Sequence, residues 1–387
     1  MDRPPRILIV AGSDSGGGAG VQADIKTVTM LGGFATTAIT ALTAQNTLGV
    51  QGVMPVPTAF VLRQVESILS DIGADAIKIG MIGSAETAAA LAERLPGNVP
   101  IIFDPVMVAT SGSTLADAAT VAAFGRLMEK AALVTPNLPE LEALVARDVE
   151  SGAEVEAAAL ELAHRTNAAV LAKGGHGEGA EVVDTLVSPS GLVRRWRSPR
   201  IESTSTHGTG CTLASAIAVH LGRGRPLEEA VERARGFVRR AMLAAPGFGG
   251  GHGPMGHGAA GTDEMNLDQV TLPARDYEAS VGFYRTLGLT QIVDSAGRYA
   301  RFECPGGATL SIHVEDSAPA EGGAVCFESG DLDLWVERLR AAGMAFDSLP
   351  EDQSWGWREA RLRDPAGNRL ILFSAGEYRR FPPWRVR

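Results

Sequence analysis

Cysteine is scarce in this 387-residue chain: Cys211, Cys304 and Cys326 are its only three. So few thiols, odd in number and far apart, exclude a disulfide scaffold and a zinc knuckle, and they fit a reducing cytoplasm. Aromatic residues make up only 5%. With abundant Ala and Gly, that composition suits α/β layers joined by tight turns. Positive charge is short as well, 35 Lys and Arg against 45 Asp and Glu, a formal net charge of -10. General affinity for nucleic acid needs clustered cations that release counterions, so nucleic acid is not an expected partner, and an anionic ligand needs a local site. Long apolar runs are missing too. The opening MDRPPRILIVAG has one short run ended by Gly12, and nowhere do about 18 apolar residues follow one another, so neither a signal peptide nor a membrane span is expected.

The length itself points to roughly two to three domains. Five short apolar runs, RILIVAG (6–12), AIKIGM (76–81), PIIFDPV (100–106), ALVTPN (132–137) and AAVLAKGG (168–175), end in small or polar clusters. Stretches such as 85–95 and 138–147 follow with apolar residues three and four apart. This alternation predicts βα units and a parallel sheet. The last helical piece of this half is expected to begin at HGTGCTLASAIAVHLG (207–222). Near residue 246 a Gly and His stretch, GFGGGHGPMGHGAAG, reads as a flexible linker or a weak metal tract, and the boundary is set just beyond it, giving domains 1–262 and 263–387. After it the pattern changes. QVTLPARD, RYARFEC and ATLSIHVED read as strands around the helix YEASVGFYRTLGL. AVCFESGD, the helix LDLWVERLRAAGM, a strand-poor segment, REARLRD and NRLILFS then repeat the order, an α+β domain of two βαβββ units.

Among chemistry-bearing segments, His207-Gly208-Thr209-Gly210-Cys211 stands out, set just before an apolar helical run. Glycines let the backbone approach a ligand, and the free amides of a helix N-terminus attract anions such as a phosphate in transfer. Cys211 in the first turn is where the helix dipole favours a thiolate, a usable base; the alternative is a Gly-rich turn followed by an inert, buried Cys. Asp104 follows PIIF, at the carboxyl end of a parallel strand, where ligands of open α/β sheets bind. Asn137 and Glu140 end another strand and open a helix, which suits either a magnesium and phosphate site or a capping box; both roles can coexist. Lys173 offers a point charge for nucleotide phosphates, or is a solvated strand-end lysine. The glycine-rich turn from Gly12 to Gly20 matches neither GxGxxG nor Walker A and shows only close backbone approach. Asp24 can bond an amine or hydroxyl, or be an exposed helix acid. Gln45 can donate and accept side by side, matching an amino group next to a ring nitrogen; its alternative is a loop amide.

Taken in order, AGSDSGGGAGVQADIKT, ITALTAQNTLGV, IKIGM, DPVM, TPNLPE, LAKGGH and THGTGCTLASA resemble the hydroxymethylpyrimidine and hydroxymethylpyrimidine-phosphate kinases of the ribokinase-like superfamily, over residues 6–258. The resemblance implies a doubly wound α/β/α sandwich, ATP and Mg²⁺ as cofactors, and two successive phosphorylations of 4-amino-5-hydroxymethyl-2-methylpyrimidine in thiamine biosynthesis. It further implies that Gln45 and Asp24 hold the aminopyrimidine, with Gly12 on the substrate side and Met81 and Val106 as apolar walls. Asp104 and Glu140 would serve the metal, Asn137, Lys173 and Thr209 the nucleotide. Gly208, Gly210 and Cys211 would be anion hole and base. Cys211 stands where sugar kinases of the superfamily carry Asp, so pyridoxine or pyridoxal kinase is the competing reading. By the same likeness GGGHGPMGH becomes the family's own C-terminal tail, and a homodimer is expected.

Residues 265–376 resemble the vicinal oxygen chelate superfamily of glyoxalases, extradiol dioxygenases and bleomycin-resistance proteins, through DYEASVGFYRTLGL and RDPAGNRLILFS. The places of that superfamily's metal ligands hold Gln269, Ala324 and Ile371. Methyl and sec-butyl groups donate nothing to a divalent ion, so a metal-free binding or auxiliary module is expected, with a second enzyme or a sequestering protein as alternatives. His313 and Glu303 are the replacement ligands to examine. Trp335, Trp355 and Trp357 are assigned either to an apolar pocket or to core packing.

Overall fold

The structure is a computed structural model that describes residues 3–108, 112, 115–150, 152–176, 179–260, 269–295, 297–304, 308–314, 324–329, 332–354 and 356–374. The chain divides into two compact units, 2–263 and 264–387.

In the first unit the apolar runs are strands because both faces of their sheet are covered. Along β1 (Arg6–Asp14) side chains alternate: Leu8 and Val10 enter one apolar core, Ile7, Ile9 and Ala11 the other. A strand buried on both sides reads as a continuous apolar run. The remaining elements, in chain order, are α1 (Gly20–Met30), β2 (Phe34–Asn46), β3 (Gly49–Pro55), α2 (Thr58–Asp71), β4 (Ala76–Ile79), α3 (Ala85–Arg94), β5 (Ile101–Phe103), α4 (Ala118–Met128), β6 (Leu133–Val134), α5 (Leu138–Val145), α6 (Gly152–Thr166), β7 (Ala169–Ala172), β8 (Glu181–Ser188), β9 (Gly191–Pro199), α7 (Thr209–Gly222) and α8 (Leu227–Leu243). Side chains of α2 to α6 fill one core, those of α1, α7 and α8 the other. The nine strands lie in the order β3-β2-β1-β4-β5-β6-β7-β8-β9. Strand order reverses between β1 and β4, the switch point at which a doubly wound sheet opens a crevice beyond its strands' carboxyl ends.

All five expected strands are present, and four more enlarge the sheet. β2 continues the parallel series, whereas β3, β8 and β9 add antiparallel pairings at the edges. The sequences of the two edge strands, GVQGVMP in β3 and GLVRRWRSP in β9, mix polar and apolar residues because edge strands are half solvated. The helical pattern also does not stop at α7, since α8 follows it.

The Gly and His stretch is part of this unit, which corrects the linker reading. The His252 amide donates to Thr47 O (2.9 Å), Gly253 to Thr204 O (3.0 Å) and Gly256 to Ala241 O (2.8 Å). Met255 is buried in the core. Its glycines let it lie this close: a Cβ on Gly251 would fall 2.1 Å from Thr47 O.

In the second unit the order β10 (Gln269–Ala274), α9 (Tyr277–Thr286), β11 (Thr290–Ser295), β12 (Tyr299–Glu303) and β13 (Thr309–Val314) is repeated by β14 (Ala324–Glu328), α10 (Leu332–Ala341), β15 (Ser348–Asp352), β16 (Arg358–Arg363) and β17 (Arg369–Ser374). Each βαβββ set makes its own four-stranded sheet, β10-β13-β12-β11 and β14-β17-β16-β15. The segment read as strand-poor contains β15, exposed on alternate residues. Tyr284, Phe302 and Ile312 from the first set share one core with Leu332, Val336 and Leu372 from the second. Tyr284 also donates from its hydroxyl to Asp364 Oδ2 across 2.8 Å.

Candidate active site

Four segments of the first unit meet beyond the carboxyl ends of β1, β4, β5 and β7. β1 delivers Asp14 into the glycine-rich turn. The Asp14 carboxylate accepts the amides of Gly16 (2.8 Å), Gly18 (3.0 Å) and Ala19 (2.8 Å), so a single acid sets the shape of the loop. His207 Nε2 lies 2.9 Å from Asp14 Oδ2. Burial disfavours the charged acid, but the bonds from His207 and the Ala19 and Gly16 amides prevail and hold its pKa below the ordinary value. Gly208 caps α7 in a left-handed conformation, φ +82°, and a Cβ there would fall 2.0 Å from Gly18 O. Only glycine fits, and the amino end of α7 is thereby pressed onto the N-terminal turn.

No side chain caps α7. Its first turn faces the cluster of charges built by β5, β6 and β7. Asp104, just past β5, is buried and accepts from Lys173 Nζ (2.8 Å) and Thr135 Oγ1 (3.1 Å). Lys173 Nζ also lies 3.7 Å from Glu140 Oε2, so it is a paired cation and not a solvated strand-end lysine. Asn137 and Glu140 form the expected capping box of α5, Asn137 Oδ1 accepting from the Glu140 amide (2.9 Å) and Glu140 Oε2 from the Asn137 amide (2.8 Å). Burial pushes the Glu140 carboxyl up to about 7, against the pull of Lys173, with Asp104 adding repulsion. A Cβ on Gly210 would stand 3.1 Å from Lys173 Nζ and 3.4 Å from Asp104 Oδ2. The glycine backbone of α7 therefore comes directly against the Asp104 and Lys173 pair.

Cys211 follows Gly210 and is half-buried, its sulfur accepting from the Gly20 amide. Burial pushes its thiol up to about 11; Lys78 opposes this, while Asp24 and Asp104 add to it. This corrects the expectation of a dipole-stabilised thiolate at neutral pH. Lost hydration, with Asp24 and Asp104, outweighs the pull of Lys78.

Asp24 is not an exposed helix acid. It is wholly buried, with Oδ2 paired to Lys78 Nζ (2.7 Å) and Oδ1 accepting from Ser215 Oγ (2.7 Å). Both oxygens are engaged within the protein. Gln45 lies near the end of β2, half-buried, and is not a loop amide; its Nε2 is 3.1 Å from His207 Nε2. Met81 and Val106 are half-buried just past β4 and β5. A Cβ on Gly12 would lie 2.9 Å from Met81 Sδ, so the two positions adjoin. Thr209 is the first residue of α7.

Sequence reasoning gave no role to Asp14, Lys78, Thr135, His207 or Ser215. One signal was there for Lys78: a cation inside the otherwise apolar AIKI, where a central strand leaves no room for solvent.

Two hard carboxylates beside a lysine, under the amides of a helix N-terminus, suit a magnesium nucleotide. Mg²⁺ is held by one or two carboxylates together with the phosphates themselves.

In the second unit Ala324 is exposed on β14 and Ile371 half-buried on β17. The side chain of Gln269 and all of Trp355 lie outside the described residues. Register pairs Tyr299 with His313 and Glu303 with Thr309, which sets Glu303 and His313 four residues apart along the hairpin, about 13 Å. They cannot ligate one ion. Trp335 packs against the core, and Trp357 stacks on Phe373 at 4.4 Å between ring centroids. Among the described residues no three His, Cys, Asp or Glu side chains converge as a metal site, and no helix is long and apolar enough to cross a membrane.

Residues 14–256 match the family model for phosphomethylpyrimidine kinase, and residues 266–372 that for the glyoxalase, bleomycin resistance protein and dioxygenase superfamily. Over 261 residues the chain is 48% identical to the thiamine biosynthesis bifunctional protein ThiED of Geobacter sulfurreducens, covering 66% of this chain and 53% of that protein. It thus spans about half the length of that relative. It is 43% identical over 260 residues to the hydroxymethylpyrimidine/phosphomethylpyrimidine kinase of Streptomyces coelicolor, covering 66% of this chain and 96% of the other. Pyridoxal kinase from Staphylococcus aureus in complex with ADP superposes with a TM-score of 0.61 at 31% identity, over 66% of this chain and 94% of that one.

Proposed function

Since the chain belongs to the phosphomethylpyrimidine kinase family, we propose that residues 1–262 transfer the γ-phosphoryl group of ATP to the hydroxymethyl group of 4-amino-5-hydroxymethyl-2-methylpyrimidine, and then a second one to the resulting monophosphate. The observation that carries this reading is the approach of Gly210 to the Asp104 and Lys173 pair at the uncapped end of α7. Phosphoryl transfer asks mainly for positioning and for charge stabilisation around the moving group. Amides of Gly208, Gly210 and Cys211 supply the second, with Lys173 as a fixed cation. When bound, Mg²⁺ neutralises phosphate charge; Asp104 and Glu140 are the groups that would hold it. Thr209 and Asn137 stand on the nucleotide side.

On the substrate side Gln45 reads the aminopyrimidine, Met81 and Val106 wall its ring, and Gly12 leaves room for it. Asp24 acts through Lys78, whose charge favours a Cys211 thiolate. The fraction of Cys211 ionised to the thiolate takes the proton of the substrate hydroxyl on Sγ. Full-length protein, ATP, Mg²⁺ and the aminopyrimidine, followed by phosphorus NMR, test this directly: mono- and then diphosphate products are expected, and none with any aminopyrimidine would end the reading. The superposition on a pyridoxal kinase supports a second substrate, so pyridoxal belongs in the same assay. The Gln45 carboxamide favours the pyrimidine, whose amine and ring nitrogen it matches.

Residues 263–387 are proposed to be a metal-free binding module, in a protein that acts in the cytoplasm as a homodimer. Two of the three expected ligand places hold side chains with no donor atom.

A further inference from the structure

Gln45 meets its ligand through one terminal amide, and that amide is contacted on both flanks. Its Nε2 lies 3.1 Å from His207 Nε2, and its Oε1 lies 3.3 Å from Thr43 Oγ1. His207 Nε2 is in addition 2.9 Å from Asp14 Oδ2. Asp14, held ionised by the donors around it, can only accept. The hydrogen of His207 Nε2 therefore points to the Asp14 side, and this nitrogen has no lone pair for an amide N–H. On the other flank Thr43 Oγ1 donates to Ser13 O at 2.9 Å, which uses its one hydrogen and leaves it an acceptor.

Both neighbours thus call for the opposite arm of the carboxamide. A half-turn about its last torsion exchanges nitrogen and oxygen without changing the space filled. Oε1 then shares the single His207 Nε2–H with Asp14 Oδ2 as a three-centre bond, and Nε2 donates to Thr43 Oγ1. The ring that imposes this choice is itself fixed. The His207 amide donates to Gly253 O (3.2 Å), and a Cβ on Gly18 would fall 2.5 Å from His207 Cδ2, so the glycine-rich turn lies close against the imidazole.

Resting on the reading of Gln45 given above, we propose that His207, oriented by Asp14, is a positioning residue that sets the Gln45 amide and so decides which donor and which acceptor the substrate meets. In this orientation Oε1 keeps a second lone pair for the exocyclic amine of the pyrimidine. Nε2 keeps a second hydrogen for the ring nitrogen beside it. The reversed amide would set donor against donor and acceptor against acceptor, and a buried mismatch of that kind costs more than a missing bond.

The test compares full-length wild type with His207→Ala, His207→Gln and Thr43→Val. Calorimetry gives Kd for 4-amino-5-hydroxymethyl-2-methylpyrimidine and, separately, for ADP; steady-state assays give KM and kcat. His207→Ala should raise Kd and KM for the aminopyrimidine about tenfold, with kcat and ADP affinity changed less than about threefold. His207→Gln, which restores an N–H donor, should recover most of the loss. Thr43→Val removes the acceptor on the other flank and should raise Kd about threefold, which keeps the test decisive even if His207→Ala fails to fold. Equal losses for ADP and aminopyrimidine, a Gln variant no better than Ala, or unchanged affinity in Thr43→Val would each overturn the proposal. Wild type that binds ADP and no aminopyrimidine would instead remove the substrate reading, and this assignment with it.

Discussion

Lys78 Nζ lies 2.7 Å from Asp24 Oδ2, and neither side chain has any exposed surface. The pair joins the central strand β4 to α1. Asp24 then reaches Ser215 on α7, one helical turn beyond Cys211. A chain of three polar groups under the site thus ties together the elements that form it.

Breaking that pair should be costly, and removing it whole should not. Lys78→Met leaves a buried carboxylate with Ser215 alone and is expected to destabilise the first unit by about 3–5 kcal/mol in chemical denaturation. Lys78→Met with Asp24→Leu should regain most of this stability while activity stays low, because the cation near Cys211 is gone. A double variant as unstable as the single one would contradict the account.

The two glycines of α7 should fail differently. Gly208→Ala meets the Gly18 carbonyl in a left-handed conformation and should lower stability by about 1–3 kcal/mol. Gly210→Ala has an ordinary backbone conformation but sets a methyl against Lys173 and Asp104. Its thermal midpoint should stay near wild type while kcat falls about 10²–10³-fold.

Cys211 titrates from a raised value, about 11. A group whose folded-state pKa exceeds its unfolded value adds stability that is complete below the unfolded pKa, near 9, and is lost as pH rises through about 11. Wild type should therefore weaken between pH 9 and 11 more steeply than Cys211→Ser. Alkylation of Cys211 by iodoacetamide, mapped by mass spectrometry, should be slow at pH 7 and accelerate only toward pH 11. Cys211→Ala should lose about 10²–10⁴ in kcat, and full activity would remove the base assignment.

Gly251→Ala places a methyl where Thr47 O stands, 2.1 Å away. The tail should lift from the β2–β3 turn, seen as faster proteolysis near residue 250 and a loss of about 1–3 kcal/mol.

His313→Ala and Glu303→Ala should leave the metal content of the purified protein unchanged, as measured by plasma mass spectrometry. Stoichiometric metal that disappears in either variant would overturn the metal-free reading of the second unit.

What the sequence alone determined is whatever depends on near neighbours in the chain. RILIVAG and PIIF announce strands covered on both faces, and the repeated order of elements after residue 269 announces two equal sets. Asn137 and Glu140, three apart, form their capping box by local geometry. The motif order carried the family, and the residue types at Asp104, Glu140, Lys173 and Gly210 suggested the proposed anion site. The tertiary structure decided what depends on distance and hydration. Nothing near Lys78 in the chain announces Asp24, 54 residues earlier, and His207 meets Asp14 across 193 residues. The four unanticipated strands, β2, β3, β8 and β9, mix polar and apolar residues, so they emerged only once their neighbours were known. Cys211 shows the division most sharply: the helix start, a local feature, argued for a thiolate, and burial beside Asp24 and Asp104, which only folding creates, outweighed it.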